Sequence, residues 1–448
     1  MSTLSNGGNT WSTKLNRIRG LAEKDLSVVF NNLGHIIDMD FLLDTFRRLD
    51  GNKALGIDRI SKEDYEFELG SNLTELLFRL RRGTYKPRTS RIVKIPKADG
   101  GERLLAIACI EDKLVQLAVS RILEQIYEPS FIPESFGYRP GKSAHDAIRL
   151  LNRSLMDTSN GALIEIDIRK YFSTIPHELL LTMLKERISD RRFLWLIKVL
   201  LESSSTDGVE TRENSVGVPE GSILSPLLSN VYLHRVLDSW FKEVVRERII
   251  GKATIIRFAD DAVFVFQYMC DAERFLKVLP KRLEKYGLQL HEGKTQILPA
   301  GFRRMELMRK KGERLPVFTF LGFTFYWRKT RKGNMALSVK TRKDRFRAKL
   351  QEIKLLLKRK LNHPNHRQVL DQVSMIVRGW LAYFAVSDNH GSCWKFITEV
   401  TRLIFHWFNR RGSTGCMNWQ KLRQVLTACN FPNEWKTIRL YNLPTPRS

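Results

Sequence analysis

Cysteine is scarce in this chain and shows no paired spacing. Cys109, Cys270, Cys393, Cys416 and Cys429 are scattered, odd in number and include no C-x-x-C pair. This argues against a disulfide framework and a zinc module, and it fits reduced thiols in a cytosolic protein. Long hydrophobic runs are also missing. No apolar stretch approaches the ~20 residues of a membrane span, and the opening M-S-T-L-S-N-G-G-N-T lacks the layout of a signal peptide. There is no internal repeat and no long low-complexity tract. Negative charge is in deficit, with 48 Asp and Glu against 75 Lys and Arg, so 448 residues carry a formal charge of +27. With no span in view, that imbalance points to nucleic acid before anionic membrane. The excess is concentrated: residues 301–360 hold 20 Lys and Arg against 4 Asp and Glu. Short basic runs are usually solvated helix faces, but this one is larger than solubility needs. The length suits two or three domains with ample apolar content for a core.

The feature around which the rest is arranged is Ile255–Phe266, I-I-R-F-A-D-D-A-V-F-V-F. Two β-branched and aromatic runs flank a tight Ala-Asp-Asp turn, which predicts a β-hairpin with two carboxylates at its tip. Asp260-Asp261 is the only Asp-Asp pair in the chain. Adjacent like charges beside an apolar sheet are costly without a cation to neutralise them, and hard divalent ions take oxygen ligands. A solvated, Asp-rich turn is the plain alternative. A third carboxylate shifts the balance. Leu163–Ile168 alternates as a half-buried strand with Asp167 near its end, where Asp could also cap the next segment.

The first residues are polar to about Asn16, after which Leu26, Phe30, Leu33, Ile37, Phe41, Leu42 and Phe46 recur at helical spacing. Asn52–Asp58 (N-K-A-L-G-I-D) is a compact turn with a charged rim. Arg91–Pro96 reads as a strand entering a hairpin at Ala98-Asp99-Gly100-Gly101, bracketed by Lys97 and Arg103. Facing cations can grip a triphosphate, Arg as a bidentate fork, though ordinary surface charges would look the same. Asp112–Tyr127 is an amphipathic helix. Ser135–Ser143 (S-F-G-Y-R-P-G-K-S) lacks the spacing of an ATP-binding P-loop. Gly217–Leu228 is a glycine–proline loop opening into a helix, whose backbone could lie against a base or template. Asp271–Tyr286 predicts a helix, Gly287–Thr295 a short strand and a lysine, and Phe318–Phe325 a strand that closes the sheet. Lys343–Leu361 predicts a helix with a stripe of Phe346, Leu350, Ile353, Leu357 and Leu361. Its basic residues, among them Lys343, Arg347, Lys354, Lys358 and Arg359, suit a phosphate backbone. The tail interleaves aromatics with Arg, ending in Phe405-His406-Trp407-Phe408-Asn409-Arg410-Arg411. This suits RNA stacking and phosphate contact as well as it suits the core of a small helical domain.

In order, these stretches resemble the bacterial group II intron reverse transcriptase/maturase family. The matches are Asn52–Asp58, the Lys97/Arg103 hairpin, Ser135–Ser143, Asp167–Phe172, Gly217–Leu228, Phe258–Asp261, Gly287–Thr295 and Phe320–Phe323, covering roughly residues 20 to 325. Arg378-Gly379-Trp380 with Tyr383-Phe384 resembles the family's thumb/maturase region. Any one motif is weak, but eight in order are specific. The resemblance implies an α+β right-hand polymerase fold: an N-terminal helical extension over 1–50, fingers and an antiparallel palm over 51–325, a helical thumb/maturase region over 326–390, and a basic aromatic nucleic-acid-binding tail over 391–448. It implies Asp167, Asp260 and Asp261 as catalytic carboxylates and, with Ile168, as the site of two Mg²⁺ ions. Lys97, Arg103, Phe172 and Glu220 would bind nucleotide, with Phe172 under the sugar where a bulky ring excludes a 2′-hydroxyl.

The implied partners are an intron RNA template, a DNA primer or target and dNTPs, with no membrane, in the cytoplasm of a bacterium and at the nucleoid when target-bound. The hairpin begins with Phe258 where the family usually has Tyr, which keeps an aromatic ring. Glu220 stands where Gln is commoner after the proline and adds negative charge near the nucleotide. The expected absence of a His-Asn-His nuclease would leave the chain dependent on primers made elsewhere. Two rivals carry the same residues: a splicing-only maturase whose polymerase site is a relic, and a domesticated polymerase in host repair or phage defence. Intact carboxylates, Lys97, Arg103 and Phe172 argue against the relic.

Overall fold

The computed structural model describes residues 10–96, 101–410 and 417–440. Lys97, the turn residues Ala98, Asp99 and Gly100, and Arg411 and Cys416 lie outside the described residues. The chain divides into two compact units, Met1–Ser143 with Ile164–Ile297, and Ala144–Leu163 with Leu298–Ser448. Among the described residues no helix is long and apolar enough to cross a membrane.

Eleven strands are described, labelled in chain order: β1 (Ser90–Pro96), β2 (Glu102–Ile107), β3 (Gly161–Ile166), β4 (Ser205–Thr206), β5 (Thr211–Arg212), β6 (Ala253–Phe258), β7 (Asp261–Phe266), β8 (Gln296–Ala300), β9 (Val317–Phe320), β10 (Phe323–Lys329) and β11 (Met335–Thr341). The expected basic hairpin is present, with β1 and β2 antiparallel and Ile95 opposite Arg103. Its sheet has the order β2-β1-β4-β5. The carboxylate hairpin is β6 and β7, antiparallel with Phe258 opposite Asp261, in a sheet of order β6-β7-β3-β8. Phe264 and Phe266 on β7 pack with Phe241 and Phe275, with ring centroids 4.7 to 6.2 Å apart. Aromatic pairs in these tilted and edge arrangements add stability beyond their burial, so the hairpin stands on a stiff base. The predicted amphipathic helix spans Ile110–Tyr127 and buries Leu114, Ala118, Val119, Ile122 and Leu123.

Two expectations are corrected. The helical spacing of Leu26, Phe30, Leu33 and Ile37 does not make a helix. A helix runs over Thr10–Lys24, another over Met39–Arg48, and between them the chain holds only a short 3₁₀ turn at Gly34–Ile36. Phe30 instead pairs its backbone with Ile188 as a parallel bridge, and Asn32 takes a left-handed φ of 54°. Tertiary backbone pairing overrode apolar periodicity.

The second correction concerns Phe318–Phe325, which does not close the carboxylate sheet. Leu321 and Gly322 take φ of 48° and 79°, so the segment folds back on itself as β9 and β10. These strands join β11 in a separate sheet of order β11-β10-β9.

The second unit continues with helices Lys343–Arg359, His366–Phe384, His390–Asn409 and Trp419–Ala428. Much of the tail's aromatic content is core. Trp380 stacks on Phe396 at 4.0 Å, and Trp380, Phe384 and Trp407 are buried, while Trp394 and Trp419 are exposed. Asn389 ties β11 to the helices: it accepts from Thr341 N and donates to the Phe384 carbonyl.

Candidate active site

The tip of the carboxylate hairpin is a two-residue loop, Ala259-Asp260, and Ala259 has a left-handed φ of 58°. A residue bearing a Cβ pays for that conformation, so it persists only where surroundings force it. They do so here. Arg257, on β6 and fully buried, donates from Nη1 to the Ala259 carbonyl at 2.9 Å and to Asn230 Oδ1 at 2.9 Å. Its Nε and Nη2 donate to the two oxygens of Asp238 at 2.8 and 2.7 Å. Asn230 Nδ2 donates onward to the Gly137 carbonyl at 2.8 Å. Gly137 lies so close to the turn that a Cβ there would stand 2.2 Å from Ala259 N.

Burial pushes the Asp238 carboxyl up, but Arg257 and His234 reverse this and hold it below the ordinary range. A buried pair of this kind is strongly destabilising to break from one side. It fixes the turn through the Ala259 carbonyl.

Asp167 lies just past β3. Its backbone is clamped by the 287–295 segment: His291 N donates to the Asp167 carbonyl at 2.8 Å, Arg169 N to the Gln289 carbonyl at 2.8 Å, and Ile168 bridges Leu290. Only an isolated bridge forms where a short strand was expected. The Asp167 carboxylate accepts from Lys294 Nζ at 2.8 Å. Asp260 feels it too. Burial raises the Asp260 carboxyl most, and the Asp167 and Glu220 charges push the same way against its main-chain hydrogen bond and Arg103. Asp261, its neighbour, is exposed at the start of β7.

Arg103 donates from Nε to Glu220 Oε2 at 2.5 Å. Glu220 is held beside β2 by its own carbonyl, which accepts from Ala106 N at 2.7 Å. Tyr138, half exposed and with a left-handed φ of 56°, interacts electrostatically with Asp260, Asp261, Arg103 and Glu220. Phe172 is buried, its ring centroid 5.3 Å from that of Tyr171. Its carbonyl accepts from Val218 N at 2.7 Å, and Gly217, with φ of 90°, approaches so closely that a Cβ would lie 2.9 Å from that same oxygen.

The donors suit a hard divalent cation: they are oxygens only, and burial, with the Asp167 and Glu220 charges, raises the Asp260 carboxyl, which a cation would oppose. Among the described residues, no three of the His, Cys, Asp and Glu side chains stand gathered at ligating distance. One oxygen of Asp167, Oδ2, is engaged by Lys294 Nζ.

In the second unit, Lys343, Arg347, Lys354, Lys358 and Arg359 on the Lys343–Arg359 helix, and Arg410 further on, are all exposed. Among the described residues none of those five helix side chains is held in an ion pair. Ile353 and Leu357 of the expected stripe are buried.

Reading the sequence singled out Asp167, Asp260, Asp261, Arg103, Phe172 and Glu220, and missed Arg257, Asp238, Asn230 and Lys294 as working parts. Arg257 carried a signal: a lone cation inside an otherwise apolar strand needs a buried partner. Asp238 and Asn230 carried none, being polar residues on unremarkable helical sequence.

The sequence profile described as reverse transcriptase (RNA-dependent DNA polymerase) matches residues 95–325. Protein YkfC of Escherichia coli (strain K12) is 37% identical over 207 residues, 45% of this chain and 53% of that protein. The uncharacterized 91 kDa protein in the cob intron of Schizosaccharomyces pombe is 31% identical over 251 residues, 54% of this chain and 30% of that one. The group II intron-encoded protein LtrA of Lactococcus lactis subsp. cremoris is 31% identical over 226 residues, 50% of this chain and 37% of that one. The matched stretch thus spans about half of these relatives' length or less.

Proposed function

This chain belongs to the reverse transcriptase (RNA-dependent DNA polymerase) family, and from that premise we propose that it is the RNA-directed DNA polymerase of a group II intron, which also binds intron RNA and assists splicing and retrohoming. Fingers and palm correspond in this reading to the first unit's sheets, and thumb and tail to the helices after β11. What supports it most is the hairpin tip braced by Arg257, whose Asp260 carboxyl is raised by burial and by the Asp167 charge. The similarity to a group II intron-encoded protein supports the intron assignment.

The substrates are a primer paired to an RNA template and a dNTP. The primer 3′-hydroxyl attacks the α-phosphate in line and pyrophosphate leaves. Two Mg²⁺ ions on Asp167, Ile168, Asp260 and Asp261 would supply activation of the hydroxyl and neutralisation of the leaving charge. The chain's own side chains orient and exclude. Arg103 offers its guanidinium to the triphosphate, and Lys97 is proposed to join it. Phe172, buried and backed by the Gly217-Val218 turn, forms a floor that cannot retreat from a ribose 2′-hydroxyl. The exposed helix cations Lys343, Arg347, Lys354, Lys358 and Arg359, with Arg410 and Arg411, would hold phosphate backbone.

The test is primer extension on an RNA template by purified protein with Mg²⁺ and dNTPs. The expected result is cDNA from the native chain and none from Asp260→Asn. Native protein that makes no cDNA but stimulates splicing of intron RNA would overturn the polymerase reading in favour of the splicing-only one.

A further inference from the structure

The guanidinium that should meet the triphosphate is already engaged. Arg103 Nε donates to Glu220 Oε2 at 2.5 Å, a single-point contact between a half-exposed Arg and a partly buried Glu. Burial works against the Arg103 charge, but Glu220, with Tyr138 and Asp260, outweighs it, so the guanidinium holds its proton more firmly than usual.

Glu220 cannot drift away. Its carbonyl is bonded to Ala106 N at 2.7 Å, and Ser225 Oγ and Ser222 N donate to the Pro219 carbonyl at 2.7 and 3.2 Å. Gln116 Oε1 accepts from Ile223 N at 3.2 Å. Gly221, at φ of 102°, lets the loop lie against β2, since a Cβ there would stand 3.0 Å from the Ala106 carbonyl. A carboxylate on a pinned backbone therefore sits on the cation of a site whose other named charges include Asp167, Asp260 and Asp261.

We propose that Glu220 is an affinity-setting residue that competes with the incoming nucleoside triphosphate for Arg103. The proposal rests on the polymerase reading above. An arriving triphosphate meets a guanidinium whose Nε is already held by Glu220, and it competes for that cation against the repulsion of the Glu220 carboxylate itself. Glutamine in that place keeps the shape and an acceptor oxygen but gives up both the competing charge and the repulsion. Glu220 thus raises the nucleotide concentration at which the site fills. It leaves chemistry untouched once Arg103 has changed partners. Because the pair is a single contact and partly solvated, the effect is modest, roughly three- to tenfold in affinity.

The experiment uses the full chain on an RNA template with a DNA primer ended by a dideoxynucleotide, so that the next dNTP binds without reacting. Its dissociation constant is read from dNTP-dependent stabilisation of the complex against a competitor trap. Glu220→Gln and Glu220→Ala should each bind dNTP ~3- to 10-fold more tightly than the native chain, with primer–template affinity unchanged. On an extendable primer, KM for dNTP should fall by a similar factor with kcat within about twofold. In an Arg103→Gln background the gain from Glu220→Gln should shrink, because the contested cation is gone. Equal or weaker dNTP binding by Glu220→Gln, with a native chain that extends primers, would show that Glu220 positions Arg103 for nucleotide, and the competition is refuted. A native chain that neither extends nor binds dNTP removes the polymerase reading and this proposal with it.

Discussion

The hairpin tip of the first unit and the basic helix of the second both gather charge, and they hold it in opposite ways. Around the tip the charges stand mostly in specific pairs. Arg257 and Asp238 are sealed together beneath the turn, Asp167 meets Lys294, and Arg103 meets Glu220. On the Lys343–Arg359 helix Lys343, Arg347, Lys354, Lys358 and Arg359 stand in solvent, while Ile353 and Leu357 do the packing. In the proposed reading, chemistry needs groups fixed to within a fraction of an ångström, so the turn that carries Asp260 is braced by the fully buried Arg257–Asp238 pair. Grip on a phosphate backbone needs only density of charge, so its members are exposed, interchangeable and screened by salt.

The sharpest break in this comparison is Asp260→Asn. Primer extension should fall by several orders of magnitude while RNA affinity stays within a fewfold, as filter binding on the same preparation would check. Next comes the buried support. Arg257→Lys retains charge but cannot span Asp238, Asn230 and the Ala259 carbonyl together. It should lower kcat on the order of 10²-fold with little change in KM, and Asp238→Asn should cost about 3–5 kcal/mol of stability. A kcat loss matched by loss of folded protein would mean that Arg257 serves stability alone.

Phe172→Ala tests the floor. The dNTP/rNTP ratio of kcat/KM should fall by roughly tenfold or more. A ratio that holds would place discrimination elsewhere.

How much of this was readable from residues alone follows the same division. β-Branched and aromatic runs around Asp260-Asp261 determine the hairpin, and the stripe on Lys343–Leu361 determines which side of that helix meets water; both are local patterns. The brace was hidden because Asp238 and Asn230 lie 19 and 27 residues from Arg257 and meet it only in three dimensions. The fold-back at Leu321-Gly322 was missed because an unbroken β-forming run hides a turn when only one of its two left-handed residues is glycine. Leu26–Ile37 misled for a related reason: spacing says which residues are apolar, but backbone pairing of Phe30 with Ile188 decides the shape.

Smaller effects sharpen the contrast. Neutralising Lys354, Lys358 and Arg359 should weaken RNA binding and flatten its salt dependence by roughly 0.7–0.9 log units per lost contact. Splicing stimulation should be lost at low protein concentration and return at high.

Asp112 is a buried charge remote from these roles. Burial raises its carboxyl to about 6, against hydrogen bonds from Tyr85 Oη and Arg88 N. Between its ordinary value of 3.8 and about 6 the folded chain keeps a proton that the unfolded chain releases. Stability therefore falls as pH rises through that window and levels off above it. Melting curves of Asp112→Asn and the native chain should diverge across the window in the variant's favour, by about 3 kcal/mol or less.

The central claim is that one region does chemistry and the other does grip. Its most direct measurement is a pair of readings, single-turnover primer extension at saturating RNA and RNA affinity across a salt series. Both would be made on the native chain, Asp260→Asn and the Lys354/Lys358/Arg359 triple variant. The account predicts that Asp260→Asn loses extension and keeps the native salt slope, while the triple variant flattens the slope and extends at the native rate once saturated. A triple variant that stays slow at saturation, or an Asp260→Asn chain whose extension is near native, would contradict it.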